Sequence, residues 1–119
     1  MTTENRDDFV EITLAGMRFH AYVGILPYER EFAQPLEVDL QVRCAGSREI
    51  LDYRDLYEAT RSLVDSGALT YLETFASALL DRVLELDGVQ WSRVAVRKPH
   101  VALGGPLAYA QVAMERTRG

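Results

Sequence analysis

Glu73 stands in Thr70-Tyr71-Leu72-Glu73, directly ahead of an apolar helical run. The amide dipoles at a helix start keep a carboxylate there ionised. An ionised carboxylate accepts two parallel hydrogen bonds, which suits a flat amidine-like edge with an exocyclic amine beside a ring N–H. The same spacing also fits a capping box, with Thr70 as the cap and Glu73 reaching back to its amide. Lys98 closes a strand pattern just before a loop rich in proline and glycine. An amine there is either a solvated lysine or, if burial or a charged neighbour tunes it, a general acid, base or electrostatic anchor. In a regular strand the adjacent Arg97 points to the opposite face. Glu29, in the loop after Gly24-Ile25-Leu26-Pro27-Tyr28, and Tyr53, ahead of a helical stretch, are the other groups able to position or pass a proton. Each has an ordinary reading too: a solvated carboxylate, and a ring buried for its apolar area.

Other chemistries find little support. The single cysteine, Cys44, excludes an intrachain disulfide framework and a Cys-rich zinc site. It falls on the apolar side of a strand pattern, where a thiol is a core residue. His20 and His100, the only histidines, do not have helical ligand spacing. Ser47, Ser62, Ser66, Ser77 and Ser92 lack a nucleophile-elbow context. Gly104-Gly105 is not followed by the Lys-Ser/Thr of a phosphate loop. Thirteen Lys and Arg against eighteen Asp and Glu leave a net charge of −5, which argues against a nucleic-acid backbone as partner. No apolar run approaches membrane-spanning length, and residues 1–8 are polar with no secretory h-region. The expectation is a soluble cytoplasmic protein, with residues 1–8 a disordered leader and 9–119 one domain.

The elements that must hold these side chains are legible in the periodicity. Residues 9–20 form a mostly apolar strand pattern, interrupted at Gly16, where a bulge is expected. Leu36, Val38, Leu40, Val42 and Cys44 alternate with Glu37, Asp39, Gln41 and Arg43, a strand with one apolar and one polar face. Leu56, Ala59, Leu63 and Val64 then mark a helical stripe, with Asp52 as its N-cap and Gly67 as its stop. A stronger stripe follows from Leu72 through Leu84, ended by Asp87-Gly88. Val94 and Val96, then Ala108, Ala110, Val112 and Met114, give two closing strands around the loop 98–106. The order β-β-α-α-β-β predicts an α+β fold: a four-stranded antiparallel sheet with two helices on one face. The other face carries Glu37, Asp39, Gln41, Arg43, Arg93 and Arg97. Such a sheet has two open edges, which invite pairing with further copies into a closed ring.

The ordered set of motifs resembles the dihydroneopterin aldolase family over nearly the whole chain. Tyr22-Val23-Gly24-Ile25-Leu26-Pro27-Tyr28-Glu29 is similar to that family's Tyr-His-Gly-Val-x-x-x-Glu loop, and Gln34 with Leu36-Glu37-Val38-Asp39-Leu40 to its Gln-x-x-x-Val-Asp-Leu strand. Asp52-Tyr53, Leu72-Glu73, Lys98 and the spacing through Gly105 fall in register. Val23 replaces the histidine common in the family, and residues 99–105 depart from its frequent Asn-Pro-Pro-Ile-Pro-Gly loop. Both positions are expected beside the substrate's side chain.

The resemblance implies the tunnelling fold, whose subunits join sheet edges into an oligomeric barrel. It implies a homo-oligomer, tetramer or octamer, with pterin sites between subunits and with neither metal nor organic cofactor. It implies a lyase of folate biosynthesis that splits dihydroneopterin by retro-aldol cleavage into 6-hydroxymethyl-dihydropterin and glycolaldehyde. Epimerisation of dihydroneopterin or its triphosphate is the related alternative, and a non-catalytic pterin or purine binder the alternative outside enzymes. Carried over, Glu73 holds the amino-pyrimidine edge with backbone help near Leu72. Lys98 transfers protons near the ring nitrogen, and Glu29 positions it. Tyr53 of an adjacent subunit works at the side-chain hydroxyl, with Leu51 offering backbone contacts, and Gly105 belongs to the substrate-binding set.

Overall fold

A computed structural model of the chain describes residues 8–46, 51–67, 69–101 and 103–119. Seven elements follow in order: β1 (Phe9–Ala21), α1 (Pro27–Glu31), β2 (Gln34–Ala45), α2 (Tyr53–Val64), α3 (Leu72–Leu84), β3 (Val89–Lys98) and β4 (Ala110–Thr117). The strands form one antiparallel sheet in the order β1-β2-β3-β4. The α+β architecture expected from the alternation is therefore present, with α2 against β1 and α3 against β3 and β4. Residues 1–7 of the expected leader and Ser47 fall outside the described residues.

The core lies between sheet and helices. The apolar row of β2, Leu36, Val38, Leu40 and Val42, is fully buried, and so are Leu56 of α2, Leu79 and Leu80 of α3, and Val94 and Val96 of β3. This is the outcome that a period of two on the strands and of 3.6 on the helices dictates when their apolar sides meet. Asp52 caps α2 by accepting from the Arg54 amide at 2.9 Å. The bulge at Gly16 is real: register shifts between Leu14 and Met17, and Gly16 has φ +67°. Its freed amide donates to Asp39 Oδ1 at 2.7 Å, so the polar face of β2 pins the irregularity of β1.

Two features depart from the sequence reading. The connection after β1 contains a one-turn helix, α1, whose first residue is Pro27. Proline there costs nothing, since the first amides of a helix have no intrahelical acceptor. Both middle strands also run further than their apolar alternation, because ladder pairing continues through Gln34 at one end and Lys98 at the other. The radius of gyration is 16.3 Å, above the about 13.5 Å of a compact chain this long. The elongated slab leaves β1 and β4 as edges. Among the described residues no helix is long and apolar enough to cross a membrane.

Candidate active site

β3 alternates across the sheet, so Val94, Val96 and Lys98 project toward the helices while Arg97 projects to the open face. Lys98 is 9% exposed, an unusual state for a lysine, and its ammonium donates to Glu29 Oε2. Glu29 is just as deeply buried, so the ordinary reading of both residues as solvated is overturned. The other carboxylate oxygen, Oε1, accepts from the Leu26 amide at 3.0 Å, which fixes Glu29 at the start of α1. The Lys98 ammonium, and after it the Leu26 amide, hold the Glu29 carboxyl below its usual range against the opposing effect of burial. The result is a desolvated amine–carboxylate pair in which the ammonium donates and the carboxylate accepts.

Gly24 makes this arrangement possible. Its φ is +114°, and a Cβ on it would lie 2.1 Å from Glu29 Oε1. Only glycine combines that backbone with that close approach. The close packing of the Glu29 carboxylate against Gly24 leaves no signal in the local spacing. The same turn is fastened to the entry of α3. Leu69 N–H donates to Tyr22 O and Gly24 N–H donates to Leu69 O, both at 2.7 Å, forming a parallel bridge between Val23 and Leu69.

That bridge explains a correction. Thr70 is not the N-cap and the expected capping box with Glu73 does not form; Tyr71 caps α3 and makes no side-chain cap bond. With Leu69 held extended, the helix begins only after Tyr71, and Glu73 becomes its second residue. The Glu73 carboxylate is exposed, and among the described residues it has no hydrogen bond or ion pair. It borders a shallow depression with Thr74, Ser77 and Asp81. Leu72 beside it is half-buried.

Tyr53 and Leu51 stand apart from this group. Tyr53 opens α2, is 62% exposed, and shares a depression with Leu51, Ile12, Asp52 and Arg54. Ile12 pairs with Val42, whereas Arg97, next to Lys98, pairs with Glu37, five positions back along β2. At about 3.4 Å per residue the two registers are ~17 Å apart. One chain thus unites Glu29 and Lys98, ties them through the bridge to the segment leading into Glu73, and leaves Tyr53 elsewhere. Gly105 lies exposed in the loop before β4, with nothing within 4 Å of the place a Cβ would take. Val23 is a further correction: at 2% exposure it belongs to the core, not to a surface that meets a substrate.

Residues 12–115 match the family described as FolB, dihydroneopterin aldolase. The chain belongs to the dihydroneopterin aldolase family. It is 28% identical over 117 residues to a dihydroneopterin aldolase of Bacillus subtilis (strain 168), covering 91% of this chain and 96% of that protein. Among solved structures, the dihydroneopterin aldolase of Burkholderia thailendensis bound to guanine superposes with a TM-score of 0.80 at 18% identity, over 95% of this chain and 94% of that one. The E. coli dihydroneopterin aldolase in complex with neopterin gives 0.76 at 18% identity, over 90% and 98%. At that identity the structural likeness shows the shared fold. Within the family frame, the match spans Glu29, Tyr53, Glu73 and Lys98 together.

Proposed function

We propose that Glu73, Lys98, Glu29 and Tyr53 carry the family's reaction at a junction between copies of this chain, with residues 9–119 acting as one cytoplasmic domain. The activity is that of a dihydroneopterin aldolase: a carbon–carbon lyase that releases glycolaldehyde and leaves 6-hydroxymethyl-dihydropterin. Glu73 accepts two hydrogen bonds from the amino-pyrimidine edge of the ring, helped by the dipole of α3 and by backbone near Leu72. The imine of the dihydropterin ring lies next to the breaking bond and takes up its electrons. The protein therefore has only to place a base at the side-chain hydroxyl and an acid near the ring nitrogen. Lys98 serves as the proton carrier, Glu29 sets its position, and Tyr53 with Leu51 comes from the neighbouring subunit. Gly105 lies in a loop beside the same cleft.

The observation that carries this reading is the buried Lys98–Glu29 pair, with the adjoining turn bridged to the segment that leads into α3, whose second residue, Glu73, has no hydrogen bond among the described residues. The ~17 Å between the register of Ile12, beside Tyr53, and that of Arg97, beside Lys98, and the two open edge strands, favour a site completed by a second copy. The test is glycolaldehyde release from dihydroneopterin by purified protein, with light scattering for assembly. Glu73→Ala is expected to abolish pterin binding while leaving the melting temperature almost unchanged. Epimerised product without glycolaldehyde, or a clean monomer with full activity, would overturn the assignment.

A further inference from the structure

Gln34 opens β2 and continues inward the row of Leu36, Val38, Leu40 and Val42. It pairs across the sheet with Ala21 and is only 8% exposed. Its side-chain Nε2 is buried and has no hydrogen-bond partner among the described residues. A folded chain rarely withholds an amide donor from water without giving it an acceptor, because the lost hydration is not recovered. Lys98 ends the inward row of β3 at the same end of the sheet, since Arg97 pairs with Glu37, three positions from Gln34. Two apolar rows therefore terminate side by side, one in an amine and one in an amide. Gln34 lines a depression with Tyr28, Pro99, His100 and Val101. Tyr28 immediately precedes Glu29, and Pro99 immediately follows Lys98, so this depression adjoins the buried pair.

We propose that Gln34 is the specificity-determining donor for the polyol end of the substrate, its Nε2 hydrogen-bonding a hydroxyl oxygen of the trihydroxypropyl side chain in the depression bounded by Tyr28, Pro99, His100 and Val101. The inference rests on the aldolase reading above and extends it from the ring to the fragment that departs. A carboxamide donates without exchanging protons at neutral pH, so it fits an oxygen to be held and not a proton to be moved. Lys98 and Glu29 already supply the groups that move protons. A buried donor also discriminates strongly: a ligand without the matching oxygen leaves it unsatisfied, and the site rejects that ligand.

The experiment titrates neopterin and 6-hydroxymethylpterin, which lacks the two-carbon fragment, into the assembled wild-type protein and into Gln34→Met and Gln34→Leu. Neopterin affinity is expected to fall about tenfold, ~1.4 kcal/mol, with hydroxymethylpterin affinity unchanged. KM for dihydroneopterin rises correspondingly. The melting temperature stays level or rises, because the variants remove an unpaired buried donor. A falling melting temperature in both variants, or equal changes in both affinities, would overturn the assignment and make Gln34 a structural residue. If the wild type binds both ligands and the variants leave their ratio alone, Gln34 alone is refuted. If the wild type binds neither, the aldolase reading falls and this inference falls with it.

Discussion

On the open face of the sheet, Arg97 reaches Asp39 at 2.8 and 2.9 Å, Glu37 at 3.2 Å and Gln111 at 3.1 Å, and lies over the Tyr109 ring. On the covered face, one residue later, Lys98 ends the row of Val94 and Val96 and, among the described residues, pairs with Glu29 alone. The first cation is surrounded by acceptors, Asp39 foremost, and they raise its pKa. The second is about as dry and, among the described residues, has one charged partner. Surplus partners make a charge structural, since losing any one leaves the others. A single desolvated partner makes a charge costly and chemically poised. Adjacent positions on one strand therefore do different work because the strand's alternation sends them to different sets of partners.

Removing the two cations should expose that difference, and it is the largest effect expected. Lys98→Ala strands the Glu29 carboxylate in the core and should cost about 3–5 kcal/mol in a urea melt. Turnover of the folded fraction should drop by about 10²–10⁴ while pterin binding persists. Arg97→Ala leaves Asp39 with the Gly16 amide and with water, and should cost only about 2 kcal/mol with kcat within a few-fold of wild type. Equal losses of rate in the two variants would erase the contrast between the faces.

The open face was legible in the sequence to a degree the covered face was not. Glu37, Asp39, Gln41 and Arg43 alternate with apolar neighbours, so a period of two assigns them to one side without any tertiary information. Gly16 announced its bulge and Asp52 its cap for the same reason: a local rule fixes each. The buried pair joins residues 69 positions apart, and no periodicity connects Glu29 to Lys98. Resemblance to a family, not spacing, put them together. Glu73 shows the reverse error. Its local pattern pointed to a capping box, but the Val23–Leu69 bridge delays the helix start, so tertiary structure overrides a good local signal. Gln34 and Lys98 offered a subtler cue. Each is a polar residue occupying the next inward slot of an apolar row, a break that marks the row's end or a site.

Gly24→Ala tests the covered face without touching either charge. The added methyl would sit 2.1 Å from Glu29 Oε1, and alanine is strained at φ +114°. The expected cost is about 1–3 kcal/mol of backbone strain, with Glu29 displaced from Lys98. Activity should then fall more than stability predicts, and raising the substrate concentration should not restore it. Gly67→Ala is the matched control. Gly67 also has positive φ, at +141°, but nothing lies within 4 Å of its would-be Cβ. It should show the strain without the loss of rate. Parallel behaviour of the two variants would mean that Gly24 serves the turn and not the carboxylate.

Acid titration sets the faces against each other most gently. Lys98 first, then the Leu26 amide, hold Glu29 below its ordinary range, and Arg97 foremost does the same for Asp39. As pH falls toward about 4, carboxyls of the unfolded chain take up protons while these two in the fold do not. The unfolded state then binds more protons, so stability must decline as pH falls through that window and level off only below the folded values. The urea midpoint should hold steady between about pH 6 and 5 and drop below about 4.5. Asp39→Asn should flatten part of that slope and leave the rate intact. Glu29→Gln should flatten another part and lower the rate, because only Glu29 accepts from the Lys98 amine at the site. A wild-type midpoint unchanged down to about pH 3 would show that neither carboxyl is held ionised by its partner.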